Sequence, residues 1–472
     1  MGRPGLVAGV DCSTQSTKVL VVDVDTGEIV ASGRAHHEVS GTGGARETDP
    51  RVWWEAFGQA MSATGMAADF SAVSISGQQH GLVVLDDRDE PLRPAMLWND
   101  VRSAPQAQHL KDQWGAQTWA DRIGVVPVAS FTITKWVWLT GNEPAIAAAA
   151  RRIMLPHDYM NFRLTGSAAT DRGDASGTGW WSSATEQYSG EALDLAGLDG
   201  GLLPSVVPPG EPAGAVTEEA SAATGVPTGT PVAGGTGDNM GAALGLGLRP
   251  GHPVVSLGTS GTIYAVSESR IIDPTGVVAG FATADRGFLP LAATLNCTLA
   301  VDRFATWLSL DREQIADDTQ VVVLPYLDGE RTPNLPEAAG SIHGLRHTTR
   351  PEEILLAAYR GAAASLLEAM SAISTAGSGI PADAPLILIG GGARGKAWQR
   401  VMADLSERAL LVPDTDEPVA LGAAIQAASM LTGMPCSDIA EQWATLQGPM
   451  VEPGTGQAGA LERIRATRDA VT

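Results

Sequence analysis

The sequence predicts an α/β protein of two lobes with a ligand cleft between them, and three observations carry that prediction. At 472 residues the chain exceeds what one hydrophobic core usually organises, so two domains of roughly 200 to 250 residues are expected. Two stretches about 240 residues apart resemble each other: LVAGVDCSTQSTKVLVVDVDTGEIV at 6–30 and HPVVSLGTSGTIYAVSES at 252–269. Strand-like segments such as AVSISGQQHGLVVLD at 72–86 alternate with Ala-rich helical segments such as PEEILLAAYRGAAASLLEAMSAIS at 351–374, the order of an α/β fold.

Each similar stretch reads as an apolar strand, a tight turn of Gly, Ser and Thr, and a second apolar strand: a β-hairpin whose turn leaves amides and hydroxyls free. A third glycine turn, GGGARG, follows the strand PLILI at 385–389 and leads into a segment with Trp398, Met402 and Leu405 at helical spacing. The stretch at 202–214, rich in Pro and Gly, reads as an irregular surface connection of the first lobe. The segment GLGLRPGHP places the lobe boundary near 245–251, giving lobes at 1–245 and 246–435 and a tail at 436–472 with a helix at 460–470.

Composition narrows the partners. Hydrophobic residues make up 44% and charged residues 18%, with mean hydropathy +0.03, enough apolar material for a core in each lobe. The 31 Lys and Arg against 53 Asp and Glu give a formal charge of -22, which repels nucleic acid and anionic membranes alike. Cys12, Cys297 and Cys436 are distant from one another and show no metal-ligand spacing, so neither a disulfide framework nor a zinc site is expected. With no signal-peptide pattern and no apolar run of spanning length, the chain reads as soluble and cytoplasmic.

The three polar turns, at 11–18, 258–262 and 390–395, each end an apolar strand, where open α/β sheets commonly bind ligands. Free N–H groups make anion cradles, and two facing hairpins suit a pair of phosphates. Gly390, Gly395 and Lys396 fit G-x-x-x-x-G-K, yet the next residue is Ala397 where a P-loop needs a hydroxyl for Mg2+. We therefore read that turn as a glycine platform beside an adenine or ribose. Asp11 suits a Mg2+ ion that keeps most of its waters, although a turn-capping aspartate is the commoner use of the residue type. Asp238, in VAGGTGDNMGAALGLG, stands at a helix start beside small residues, where a carboxylate is both an N-cap and accessible to a substrate. ISGQQHG at 75–81 and LWND at 97–100 bring amides, an imidazole, an indole and a carboxylate together, the chemistry that binds sugars. His80 is a second candidate for the proton acceptor, or a structural histidine.

Together VDCSTQSTK, ISGQQHG, LWND, LPHDYMNFRLTG, GGTGDN, SLGTSGT, LPYLDGERTP and IGGGARGKAWQRVMAD, in unbroken order from about residue 7 to about residue 435, resemble the FGGY carbohydrate kinases and, among them, the bacterial xylulose kinase branch. The resemblance implies two actin-like, ribonuclease-H-like lobes with ATP and sugar in the cleft, and phosphorylation of D-xylulose. It implies Asp238 as catalytic base and Gln79, His80, Trp98, Asp100 and Asn239 around the sugar. Thr14, Lys18, Gly258, Thr259 and Ser260 would face the phosphates, Gly391 and Gly392 the adenosine, and Asp11 the Mg2+. A homodimer is a further family expectation. Gln79 departs from the methionine of many xylulose kinases, which keeps ribulose or an alditol open as the acceptor. An actin-like ATPase without sugar kinase activity is the alternative from another class.

Overall fold

The computed structural model describes residues 5–66, 70–454 and 459–471. Both predicted hairpins form. In the first, β1 (Leu6–Cys12) and β2 (Ser16–Asp23) pair antiparallel with Asp11 opposite Lys18, and β3 (Ile29–His36) extends the sheet beyond β2. On the other side of β1 lie β4 (Phe70–Gly77), running parallel to it, then β5 (Pro212–Ala215) and β6 (Pro231–Ala233), with sheet order β5-β6-β4-β1-β2-β3. A short β7 (Thr236–Gly237) also pairs with β4. The 202–214 stretch differs from expectation, because Pro212–Ala215 is an ordered edge strand. Proline is tolerated there, since an edge position leaves its missing N–H without consequence.

The second sheet repeats the plan. Strands β8 (Pro253–Leu257) and β9 (Gly261–Ala265) form the hairpin, β10 (Ala279–Ala282) and β11 (Phe288–Thr294) continue it antiparallel, and β12 (Leu386–Ile389) runs parallel to β8. Strands β13 (Leu410–Leu411) and β14 (Met450–Val451) complete the order β10-β11-β9-β8-β12-β13-β14. An antiparallel third strand on one side of the hairpin and a parallel strand on the other is common to both sheets. This is the duplication that the sequence similarity announced.

Helices cover the faces. In the first lobe α1 (Pro50–Ala63) buries Trp53 and Phe57, capped by Asp49 accepting from the Arg51 amide. In the second, α4 (Pro351–Thr375) is buried on all sides from Leu355 to Leu367, and α5 (Lys396–Ser406) follows the third glycine turn as predicted. Two helices join the lobes: α3 (Asp238–Gly245) and α6 (Pro418–Thr432). By chain order α6 belongs to the second lobe, yet Ala420, Leu421, Ala424 and Ile425 pack on Val7, Leu20, Val22 and Ala72 of the first sheet. Conversely α3, which ends the first lobe, packs Met240, Ala243 and Leu244 with Val254, Tyr264 and Ile389 of the second.

The two helices cross at glycines. A Cβ on Gly422 would stand 1.8 Å from the Gly241 carbonyl oxygen, and one on Gly245 1.9 Å from that of Pro418. Only hydrogen fits such a crossing. The crossing depends on small residues far apart in the chain. One further helix, α2 (Pro156–Thr165), lies under β4 and brings His157 beneath the cleft.

Candidate active site

The strand ends of both hairpins and the first turn of α3 meet in the cleft. There the site has two adjoining compartments. One is a 230 Å3 cavity bounded by Gln79, His80, Trp98, Asp238, Asn239 and Arg331, with Phe131, Phe281, Ser260, Thr262 and Thr294 completing its walls. The other is a 420 Å3 cavity lined by Asp11, Ser13, Lys18, Gly390, Gly391 and the 412–419 segment. Ser256 of β8 lines both, so the compartments share a wall.

Asp238 opens α3, where the orphan N–H groups of a helix start favour an anion. Its Oδ1 accepts from its neighbour's backbone (Asn239 N, 2.8 Å) and side chain (Asn239 Nδ2, 2.9 Å). Despite these bonds, burial first, and then the charges of Asp11 and Asp174, push its carboxyl up to about 7. A carboxylate tuned near neutrality exchanges protons readily at working pH. Asn239 Nδ2 also donates to Gln79 Oε1 at 2.9 Å, which ties the helix start to the QQHG turn. Gly237 lies hard against that glutamine: a Cβ there would come within 2.6 Å of Gln79 Cγ.

His80 sits in the left-handed region at φ 66°, a conformation held from below. Lys135 Nζ (3.1 Å) and Thr132 Oγ1 (3.3 Å) both donate to the His80 carbonyl. The ring packs edge-on against Phe131, with centroids 5.0 Å apart, and tilts over Phe281 at 5.5 Å. Burial, then the cations Lys135 and Arg331, hold the imidazole well below its usual range, so it is neutral at pH 7. Lys135 is fully buried, and burial brings its ammonium down to about 7. Trp98 Nε1 donates to Thr14 Oγ1 at 3.1 Å and so links the indole to the first hairpin turn.

Beneath Gln79 lies a buried cluster in which His157 Nδ1 meets Asp174 Oδ2 at 2.7 Å, with Asp158 and Asp171 on its other side. Burial opposes the charge on that imidazole, but the three carboxylates outweigh it and raise His157 to about 9.

In the larger compartment, Asp11 Oδ2 accepts from Ser13 Oγ at 2.5 Å and from Lys18 Nζ at 3.3 Å. Asp11 Oδ1 is buried without a partner. Lys18 also pairs with Glu417 Oε2 at 2.6 Å, which pins the first hairpin to the segment entering α6. Gly391 faces open space, since a Cβ there would meet nothing within 4 Å. Gly392 is committed to packing instead: its amide donates to Leu257 O at 2.9 Å, and a Cβ would stand 2.8 Å from Thr298 Cγ2. Gly258 closes the second hairpin turn onto Ser260 O at 3.1 Å, leaving Thr259 exposed and outside the lining of both cavities. Lys396, the residue of the P-loop near miss, turns to Gln399 Oε1 at 3.0 Å.

Like Gly392, Asp100 departs from the sequence expectation on geometry. Asp100 is fully buried and outside the sugar-sized cavity, where we expected a substrate ligand. Its oxygens are taken by the Arg46 amide (2.9 Å), the Arg102 amide (3.0 Å) and the Arg102 guanidinium (2.6 Å). It anchors the turn that carries Trp98. Sequence reasoning also passed over residues that line the cavity. Arg331 lay in a quoted motif without a role, and Phe131 and Phe281 gave no signal because aromatic residues in apolar segments look like core.

The comparisons with known proteins agree with this geometry. The model of the FGGY family of carbohydrate kinases, N-terminal domain, matches residues 6–245, and that of its C-terminal domain matches 254–431. A xylulose kinase of Streptomyces coelicolor is 58% identical over 99% of this chain and 95% of its own length. That of Escherichia coli is 35% identical over 85% of each. The crystal structure of xylulose kinase from Bifidobacterium adolescentis superposes with a TM-score of 0.84 at 35% identity, covering 98% of this chain and 99% of that one. Among the described residues no single helix is long and apolar enough to cross a membrane. Duplicated lobes, a cleft at their strand ends and both halves of the family pattern in order lead to one assignment: the chain belongs to the FGGY family of carbohydrate kinases.

Proposed function

We propose that the chain phosphorylates D-xylulose from ATP, giving D-xylulose 5-phosphate and ADP, with Asp238 as the base. The observation that carries this reading is the Asp238 carboxyl, raised to about 7, in the lining of a sugar-sized cavity that shares Ser256 with the cavity of Asp11 and Lys18. An alcohol is a poor nucleophile. In the proposed step the terminal hydroxyl oxygen forms a bond to the γ-phosphorus, the bond from that phosphorus to the β,γ-bridging oxygen breaks, and the hydroxyl proton passes to Asp238. Gln79, His80, Trp98 and Asn239 hold the acceptor; the xylulose kinases at 58% and 57% identity favour D-xylulose as that acceptor.

Thr14, Lys18, Gly258, Thr259 and Ser260 would surround the phosphates, and Gly391 the adenosine, with Gly392 supporting that turn from behind. The partnerless buried Oδ1 of Asp11 fits a hydrated Mg2+, which supplies charge neutralisation on the phosphates. ATP as donor and unpaired cysteines suit the cytoplasm. Segments 245–251 and 413–418 are the proposed hinges of a closure that keeps water from the phosphoryl group.

The test is ATP turnover across D-xylulose, D-ribulose and the pentitols, with Asp238→Asn alongside. D-xylulose should give the highest kcat/KM, and the variant should lose roughly 100- to 10,000-fold in kcat. Preference for another acceptor overturns the substrate; ATP hydrolysis indifferent to every sugar and to Asp238→Asn overturns the kinase chemistry.

A further inference from the structure

Arg331 reaches the sugar-sized cavity from the second lobe, on a segment that leaves it little freedom. The Glu330 carboxylate accepts from the amides of Leu295 (2.6 Å), Arg331 (2.8 Å) and Asn296 (3.3 Å) and from Asn296 Nδ2 (3.0 Å). Asn296 Nδ2 donates in addition to Gly329 O at 2.7 Å, and Thr332 Oγ1 to Ala293 O at 2.8 Å. The backbone on both sides of Arg331 is therefore fastened to the end of β11.

The guanidinium differs from the other enclosed arginines of the molecule. Arg93 pairs with Glu47 and Glu143, Arg102 with Asp100, Arg172 with Glu186 and Arg360 with Asp318. Among the described residues the Arg331 side chain has no ion pair and no hydrogen-bond acceptor. Glu330 is the acid whose charge reaches it, and that carboxylate is already occupied by three amides and the Asn296 side chain. The Arg331 side chain is half-buried, so its donors are partly enclosed yet still open to an acceptor in the cavity. A fork of five donors aimed into a cavity has capacity for oxygen acceptors.

The position says which ligand supplies them. Arg331 lines the compartment of His80, Trp98 and Asp238 and is absent from the lining of the compartment that holds Asp11, Lys18 and Gly391. Its charge is felt by the His80 imidazole on the opposite lobe. We propose that Arg331 is the second lobe's direct contact to the acceptor sugar, donating to an oxygen of the open-chain molecule from the side opposite Gln79 and His80. The sugar is then gripped by both lobes at once, and its binding favours the closed cleft. The inference rests on the sugar kinase reading and leaves the identity of the sugar to its own test.

The experiment compares wild type, Arg331→Met and Arg331→Lys on the acceptor that the wild type prefers, so that an error about the sugar leaves the comparison intact. A hydrogen bond to a charged group is worth roughly 10- to 100-fold. Arg331→Met should lower kcat/KM for the sugar by about that factor and leave the KM for ATP within about threefold. Deoxy analogues of the sugar then locate the contact. For the analogue lacking the contacted oxygen, the wild type should lose a similar factor and Arg331→Met should add little, whereas the other analogues should lose additively. Arg331→Lys keeps the charge and carries the same comparison if the methionine variant does not fold. Equal losses on every analogue, unchanged sugar kinetics, or a change confined to the KM for ATP would each overturn the assignment.

Discussion

Replacing Asp238 by Asn should make the protein a poorer enzyme and a more stable one at alkaline pH. Both effects follow from one carboxyl. The change is nearly isosteric, and an amide oxygen can still accept from Asn239 N and Nδ2, the two donors now on Oδ1. What disappears is a charge near Asp11 and Asp174 in a buried setting. The rise from 3.8 to about 7 corresponds to on the order of 4 kcal/mol against ionisation, and water in the open cavity screens this to roughly 2 kcal/mol. The sign follows from linkage. A carboxyl raised in the folded state contributes stability that is complete below its unfolded value near 4 and lost as the pH climbs through about 7. The variant does not suffer that loss. For a chain of 472 residues, roughly 2 kcal/mol amounts to a melting temperature about 2 °C higher than wild type at pH 8, with the difference closing towards pH 4. Scanning calorimetry across that range measures it. In the same range, kcat/KM of the wild type for the sugar should fall below about pH 7 with unit slope, since the base must be ionised to accept a proton. A variant less stable than wild type at pH 8, or one that keeps more than a tenth of wild-type turnover, would refute the reasoning.

Four further substitutions test the surroundings. Gly177→Ala would set a Cβ 2.5 Å from His80 Cε1, against a ring already held by Phe131 and Phe281; displacement of the imidazole should cost roughly 10- to 100-fold in kcat/KM for the sugar, while the KM for ATP measured alongside stays level. Gln79→Met removes the acceptor of the 2.9 Å bond from Asn239 and should cost about fivefold in kcat/KM at ~1 kcal/mol, seen in steady-state kinetics. Gly422→Ala forces a methyl into the helix crossing, 1.8 Å from a carbonyl oxygen, and should destabilise by more than about 3 kcal/mol or abolish soluble expression. Gly141→Ala, where nothing lies within 4 Å, should be neutral or stabilising by up to ~1 kcal/mol in the same melting assay.

The legible part of the molecule was the part written locally. Strand, turn and strand at 6–23 and at 253–265 announce themselves through a two-residue period and Gly-Ser-Thr turns, and their similarity conveyed the duplicated sheets. Asp238 was visible because a carboxylate followed by a small-residue helix is a local pattern. What escaped depends on partners distant in the chain. Asp100 read as a sugar ligand because nothing near LWND reveals that the Arg46 amide, 54 positions earlier, occupies it. Lys135 supports the His80 carbonyl from 55 positions away. The crossing of α3 and α6 joins Gly241 to Gly422 through contacts that no window of sequence contains.

The account rests on Asp238 receiving the proton of the sugar's terminal hydroxyl, and a crystal structure with D-xylulose and a non-hydrolysable ATP analogue in the closed cleft measures that directly. We predict the hydroxyl oxygen within about 2.5–3.0 Å of the Asp238 carboxylate and in line with the γ-phosphorus. A sugar that presents its terminal hydroxyl to His80 instead, with Asp238 turned to Asn239 alone, would contradict it.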